Sequence, residues 1–321
     1  MADQPLPTPV EEGLIGRRDM LKCMAWAGTG VLWTVSGGVA SSMLVENAAA
    51  EPMSSGLNFL QISDTHLGFN KAANPDPVAT LHESIAHAKA LPGNPAFVIH
   101  TGDITHLSKP EQFDMADQIL KDLNLPVFHV PGEHDTLDDG NGKIYLDRYG
   151  PMTKAKGTGY YSFDHSGVHF IALINVVGLQ GNGGSTLGAD QIQWLADDVA
   201  HLRSSTPIVV FAHIPLWDVY TPWGWSTSDA PAAFEHLKRF GSVTVLNGHI
   251  HQVIEKVEGN ITFHTARSTA YPQPAPGVGP APGPLTVPAG ELRSVLGVRE
   301  VKLVRGRHDL AIIDQTLAAS A

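Results

Sequence analysis

Five short apolar runs in this chain each end on residues that bind metals or move protons. After Phe59-Leu60-Gln61-Ile62-Ser63 come Asp64-Thr65-His66, and after Phe97-Val98-Ile99-His100 come Thr101-Gly102-Asp103. Val127-Phe128-His129-Val130 is followed by Pro131-Gly132-Glu133-His134-Asp135. His213 follows Ile208–Ala212, and Gly248-His249-Ile250-His251 follows Val243–Asn247. A lone Asp after a strand is ordinarily a helix cap, and a lone His is ordinarily a satisfied core residue. Five such ends in one chain, with Gly102, Gly132 and Gly248 where the backbone must turn tightly, point instead to one shared site. Charged groups directly behind buried strands are costly unless something pairs with them, and a pair of metal ions meets that need. Ligands of α/β sheets also collect at the carboxyl ends of strands. In an extended segment, the spacing of two in Asp64/His66 and His249/His251 puts both side chains on one face.

The elements that must carry these ends read as alternating strands and helices. Strands are expected at Leu57–Ile62, Ala96–His100, Val127–Val130, Pro207–Ala212 and Ser242–Leu246. Helices are expected at Pro77–Leu91, Pro110–Leu123, Ala189–Leu202 and Ala232–Phe240, the first two opened by proline. Tyr160–Phe163 with Val168–Asn175, and Gln252–Val257 with Ile261–Thr265, read as hairpins turning at Asp164–Gly167 and Glu258-Gly259-Asn260. Val295–Val304 and Asp309–Ile313 are expected to return to a sheet edge. Strand–helix alternation followed by hairpins indicates an α/β layered fold with mixed sheet. Tyr271–Gly290 carries seven prolines and is a loop by composition.

The order Asp-x-His, Gly-Asp, Gly-Glu-His-Asp, His, Gly-His-x-His resembles the signature of calcineurin-like metallophosphoesterases, from Asp64 to His251. Leu187-Gly188 through Gln191 to Trp194-Leu195 is similar as well, and the overall size and short Asp64–His66 block resemble the bacterial cyclic-nucleotide phosphodiesterase-like branch. The resemblance implies a four-layer α/β/β/α sandwich with mixed sheets and a dinuclear site on top. It implies that Asp64, His66, Asp103 and His251 bind a first metal and that Glu133, His213 and His249 bind a second, with Asp103 bridging. A bridging carboxylate holds two cations ~3.5–4 Å apart, and together they bring the pKa of a bridging water toward ~7. That hydroxide would attack phosphorus in line while the metals neutralise the phosphoryl oxygens. His134 is then the residue that stabilises the transition state or protonates the leaving oxygen, with Asp135 fixing its tautomer. One position departs from the family, where Glu133 stands in place of an asparagine. Its extra charge is expected to bind the second metal more tightly and reduce its Lewis acidity; the alternative is that Glu133 swings out and water replaces it. Histidine and carboxylate ligands suit Fe, Mn and Zn alike, as two divalent or mixed-valence ions.

Composition narrows the function classes. The chain has 321 residues, 43% hydrophobic and only 17% charged, so a disordered polyelectrolyte is excluded. A net charge of -11 disfavours nonspecific nucleic-acid or anionic-membrane binding, which needs a basic face. The single Cys23 rules out an internal disulfide and any multi-thiolate metal site, while the 16 histidines are the excess a metal centre would explain.

The first fifty residues read as an address. Gly16-Arg17-Arg18-Asp19-Met20-Leu21-Lys22 resembles the twin-arginine export motif, with Gly16 and Met20 as departures from it. Cys23 to Val45 carry no charge, and Ala48 and Ala50 fit a signal-peptidase site after Ala50. The expectation is a signal segment over 1–50, a metallophosphoesterase domain over 51–321, and export to the periplasm or beyond through the twin-arginine translocation machinery. The alternative is an uncleaved membrane anchor, for which the many Gly, Ser and Thr residues are poor.

The leading reading is hydrolysis of a small phosphoester, a diester by preference. A phosphomonoesterase on the same site and a catalytically silent metal-binding module are the alternatives, and a nuclease is disfavoured by charge. Four features carry weaker expectations: His106 near phosphate; Trp217, Tyr220, Trp223 and Trp225 as a base-stacking surface or apolar lid, or else a loop packed on itself or on a partner subunit; Arg267 as a phosphate contact or a surface ion pair; and the 271–290 loop as a cover.

Overall fold

The computed structural model describes residues 30–36, 39–45, 56–139, 141–153, 159–176, 185–303 and 310–318. In the N-terminal segment, strands β1 (Gly30–Ser36) and β2 (Val39–Val45) pair antiparallel with each other. The twin-arginine motif and the expected cleavage site lie outside the described residues. Among the described residues no helix is long and apolar enough to cross a membrane.

The main domain holds two sheets. The first runs β13 (Leu310–Thr316), β12 (Gly297–Leu303), β3 (Asn58–Ile62), β4 (Val98–His100), β5 (Val127–His129), with β3, β4 and β5 parallel. The second runs β10 (Glu255–Glu258), β11 (Ile261–Thr265), β9 (Val243–Asn247), β8 (Ile208–Phe211), β7 (Val168–Ala172), β6 (Tyr161–His165). Its four central strands are parallel and its two edge strands antiparallel. This is the mixed α/β architecture expected.

Each sheet buries its outer face under helices. Helices α1 (Pro77–Ala90) and α2 (Pro110–Leu120) lay Leu81, Ile85, Phe113, Ala116 and Ile119 onto Leu60, Ile62 and Val98 of the first sheet. Asp76 caps α1 by accepting from the Ala79 amide at 2.9 Å, with Pro77 in the first turn where its missing N–H costs nothing. On the second sheet, α4 (Ala189–Val199) and α5 (Ala230–Glu235) cover Ile171, Val210, Val245 and Phe263 with Leu195, Val199, Ala233 and Phe234. Between the sheets lies a layer of rings. Phe59 and Phe97 of the first sheet's side meet Phe170 of the second at 5.4 and 5.3 Å, and Phe128 stacks on Phe163 at 3.9 Å. The four layers are therefore α/β/β/α.

Two local details differ from expectation. The helix expected at 232–240 is only the short α5, and α3 (Lys143–Tyr149) was passed over, although Tyr145 and Tyr149 stand four apart and both face the first core. The hairpin between β6 and β7 turns where expected, with Ser166 and Gly167 both at positive φ (51° and 78°), the backbone of a type I′ turn. A buried guanidinium also ties the sheets together. Arg299 on β12, 1% exposed, donates to the Thr265 carbonyl on β11 at 2.8 Å and to Asp314 on β13 at 2.9 Å.

The ring layer predicts a stability effect. Phe170 is fully buried and touches Phe59, Phe97 and Phe163, so Phe170→Ala should cost about 3–5 kcal/mol in denaturant unfolding. A loss under 1 kcal/mol would show that the layer closes over the gap.

Candidate metal centre

The strand ends converge. Asp64 and His66 follow β3, Asp103 follows β4, Glu133 and His134 follow β5, His213 follows β8, and His249 and His251 follow β9. The chain does not continue extended through these residues, as the spacing argument assumed. Asp64, His66, Asp103, His249 and His251 all adopt the left-handed region, with φ of 54°, 40°, 53°, 70° and 56°. That backbone is costly for residues bearing a Cβ and concentrates at functional sites. Here it bends each strand end so that the side chain meets those of the other strands.

Two donor groups result. In the first, His251 Nε2 lies 3.2 Å from Asp64 Oδ1 and 3.2 Å from His66 Nε2. In the second, Glu133 reaches His213 Nε2 with Oε2 at 2.8 Å and His249 Nδ1 with Oε1 at 3.0 Å. Asp103 stands between them, its Oδ2 3.4 Å from His66 Nε2 and 3.5 Å from His213 Nε2. The structure thus brings together all seven expected ligands, and Glu133 faces inward.

The chemistry of these atoms fits metal ions. Glu133 Oε2, His213 Nε2 and His249 Nδ1 are buried and lack a hydrogen bond despite their short separations, so three unsatisfied ligand atoms face one small volume, as a metal ion would use them. The far side of the imidazoles is already committed. His213 Nδ1–H donates to the Thr101 carbonyl at 2.7 Å and His251 Nδ1–H to the Tyr271 carbonyl at 2.5 Å, which leaves each Nε2 as the free ligand atom. Asp64, fully buried, accepts from the Ser63 hydroxyl and the His249 amide. The His134 amide donates to Asp103 Oδ1 at 2.9 Å and leaves Oδ2 for the site.

Protonation follows the same layout. Burial opposes the Glu133 anion, yet His249 and His213 beside it hold its pKa well below the ordinary carboxylate range. Burial likewise opposes charge on His213, but Asp103 and Glu133 raise it well above an ordinary imidazole. His66 is kept neutral by burial and by the neighbouring His134 and His251.

The glycines are required by close approach. A Cβ on Gly132 would lie 2.0 Å from Asp103 Oδ1, and one on Gly248 would lie 2.1 Å from Ser63 Oγ and 2.7 Å from Asp64 Oδ2.

One expected role is corrected. Asp135 does not meet the His134 ring. Its carboxylate accepts from the amides of Ile104, Thr105 and Gly132 at 2.8–3.0 Å and from the Thr105 hydroxyl at 2.9 Å, riveting the loops after β4 and β5 together. The reason is local: Glu133–Asp135 form a 3-10 turn, which throws adjacent side chains to different sides. The His134 tautomer is set instead by the His106 carbonyl, which accepts from Nδ1 at 2.8 Å.

The weaker features also find their places. His106 stacks on His134 at 4.7 Å, and its pKa is lowered to about 4 by burial and by His134, so it lines the site as a neutral ring. Arg267 donates to the Val295 carbonyl at 3.2 Å, two residues before β12. Tyr220, Trp223 and Trp225 pack edge-on against one another, with Trp225 1% exposed, so that loop is self-packed. The 271–290 loop contains no helix or strand, and its first residues lie over the His249–His251 turn, where Gln273 donates to the His249 carbonyl at 2.7 Å. Tyr271 escaped the sequence reading altogether. Its phenol lies 3.1 Å from His66 Nε2 and its ring stacks on His66 at 4.7 Å.

Comparison with known proteins agrees with this geometry. Residues 57–253 match the calcineurin-like phosphoesterase family. A Psychrobacter arcticus protein described as "Probable cyclic nucleotide phosphodiesterase" is 22% identical over 227 residues, 67% of this chain and 81% of that protein. A 3',5'-cyclic-nucleotide phosphodiesterase of Nostoc is 25% identical over 224 residues, 67% of this chain and 79% of its own length. The fold matches that of a dimetal phosphatase from Danio rerio, with a TM-score of 0.53 at 14% identity, over 80% of this chain and 98% of the other. The match covers more than half the chain and contains every residue of the two donor groups: the chain belongs to the calcineurin-like phosphoesterases and is a metal-dependent phosphoric ester hydrolase.

Proposed function

We propose that this protein is a dinuclear-metal phosphohydrolase that cleaves small phosphoesters, diesters in preference, after export from the cytoplasm. The observation that carries the reading is the pair of donor triads, Asp64/His66/His251 buried and Glu133/His213/His249 partly exposed, with the Asp103 carboxylate between them. The first triad with Asp103 would hold one ion, and the second triad with Asp103 the other. When bound, such ions supply Lewis acidity toward the phosphoryl oxygens and acidify water at neutral pH. His134 supplies what remains. With Nδ1–H committed to the His106 carbonyl, the proton for the leaving oxygen or for a bond to a phosphoryl oxygen must sit on Nε2 of the cationic ring; burial opposes that charge, but Asp103 and Glu133 nearby raise the His134 pKa and favour it. Asp103 accepts from the His134 amide through Oδ1 and would help hold the ions through Oδ2. The diester preference is supported by the two cyclic-nucleotide phosphodiesterases to which the chain is similar.

The deciding experiment compares bis-p-nitrophenyl phosphate with p-nitrophenyl phosphate on metal-stripped protein, then with Mn, Fe or Zn restored. Turnover should depend on metal, run faster on the diester, and fall by about 10²–10⁴-fold in His134→Ala. Stoichiometric metal with no turnover on either ester would favour a silent metal-binding module, and a faster monoester a phosphomonoesterase.

Glu133 is proposed as a ligand of the second metal because its carboxylate already faces His213 and His249. Glu133→Asn should weaken retention of one metal of the two and shift the pH–rate profile. Unchanged metal content and an unchanged profile would remove Glu133 from the ligand set.

Export is supported by Arg17-Arg18, the uncharged Cys23–Val45 stretch and the alanines before Glu51. Replacing both Arg17 and Arg18 by Lys should leave the full-length chain in the cytoplasm on cell fractionation. Export that survives this change would rule out the twin-arginine route.

A further inference from the structure

We infer that the Tyr271 hydroxyl is an additional oxygen donor of the first metal site, so that Tyr271 helps set the affinity and metal choice of that site. The inference rests on the dinuclear reading above. The spacing of the donors carries it. Donors 2.0–2.2 Å from one ion stand roughly 2.8–3.1 Å apart at right angles and roughly 3.3–3.6 Å apart at tetrahedral angles. The expected ligands of the first site fall in this span, with His66–His251 and Asp64–His251 at 3.2 Å and His66–Asp103 at 3.4 Å. The Tyr271 oxygen lies 3.1 Å from His66 Nε2, a separation of the same kind. It would be a fifth protein donor, as far from His66 as the other donors are from one another.

The hydrogen bond at that distance cannot coexist with a metal. A neutral imidazole has one lone pair on its unprotonated nitrogen. Given to an ion, the Nε2 lone pair no longer accepts from the phenol, and the phenol oxygen is left buried beside the cation. Coordination satisfies that oxygen, and its proton passes to solvent, as protons do when protein ligands bind metals.

The surroundings hold the ring in place. It packs at 4.7 Å against both His66 and His251 and at 4.3 Å against Phe69. The Tyr271 carbonyl takes the His251 Nδ1–H, and the Tyr271 amide and that of Ala270 both donate to the Ser268 hydroxyl, which in turn donates to the Asp64 carbonyl. One residue thus touches both histidines of the first site, each through two different groups. Two residues on, Gln273 reaches the His249 carbonyl, and Gln252 donates to the Pro274 carbonyl at 2.7 Å, so the segment is anchored on both sides.

Tyr271→Phe keeps the ring and removes only the oxygen. Metal-stripped full-length protein and this variant would be loaded with Fe(III) and followed by visible absorption, then with Zn(II) against a competing chelator. A phenol oxygen on Fe(III) gives a charge-transfer band, expected in the parent protein and absent from the variant. One of the two Zn(II) equivalents should bind the variant about tenfold more weakly. No band in the parent, or a band that persists in the variant, overturns the inference. Weaker Zn(II) binding without a band in the parent also overturns it, because Tyr271 would then act by holding His66 and His251 in place and not by coordination. Resonance Raman detection of phenol ring modes in the Fe(III)-loaded parent answers the question even if the variant fails to fold. None of these readouts needs turnover, so an inactive but metal-binding protein would defeat the proposed function and leave this inference standing.

Discussion

The structure depends on the burial of two carboxylates, Asp64 and Asp103, at the ends of neighbouring parallel strands. Neither is more than 1% exposed, and each faces an imidazole of another strand. Anions so placed are tolerable only with compensation. The chain supplies part of it from its own backbone, since the His249 and His134 amides donate to these two side chains. To aim the remaining donors at the same volume it accepts left-handed backbone at five ligand positions. Strain of that kind costs of order 1–3 kcal/mol per residue and persists only where the surroundings enforce it. The flanking strands, the Asp135 rivet and the Ser268 bridge are that enforcement.

The rest of the fold can be understood as the frame for this arrangement. Parallel strands bring several carboxyl ends to one rim, and two sheets packed through a layer of phenylalanines bring ends from both to the same point. Arg299 reaches from the first sheet to the second with each of its three side-chain nitrogens hydrogen-bonded, so the frame is tied by a directional contact as well as by apolar burial. Glycine at 132 and 248 is a steric consequence, because any side chain there would occupy the place of an Asp103 or Asp64 oxygen.

Much of this was legible in the sequence because each ligand directly follows a strand, and strands announce themselves by apolar runs. The two sheets, the hairpins and the seven clustered ligands all follow from that coupling. What failed did so for local reasons. Asp135 was expected at the His134 ring from the family resemblance, but the 3-10 turn sends the two side chains to different sides. The Asp64/His66 and His249/His251 pairs converge through left-handed backbone, which no spacing rule reveals. Tyr271 follows no strand directly and opens a proline-rich loop, so nothing in its immediate sequence marks it as part of the centre. Its position comes from Phe69 and from the Ser268 hydroxyl, which ties this segment to the Asp64 carbonyl, contacts that reach far back along the chain.

The chain order of the ligands has a consequence for synthesis. Asp64 emerges early, yet its partner His251 and the Tyr271 carbonyl that orients His251 belong to the last part of the domain. β12, which pairs with β3 and carries Arg299, comes later still. A growing polypeptide on the ribosome therefore displays isolated carboxylates and imidazoles for most of its translation and no finished coordination sphere. Metal selection is deferred to the completed chain, when the whole rim closes as a unit, rather than being made by whichever ion first meets the nascent N-terminal half.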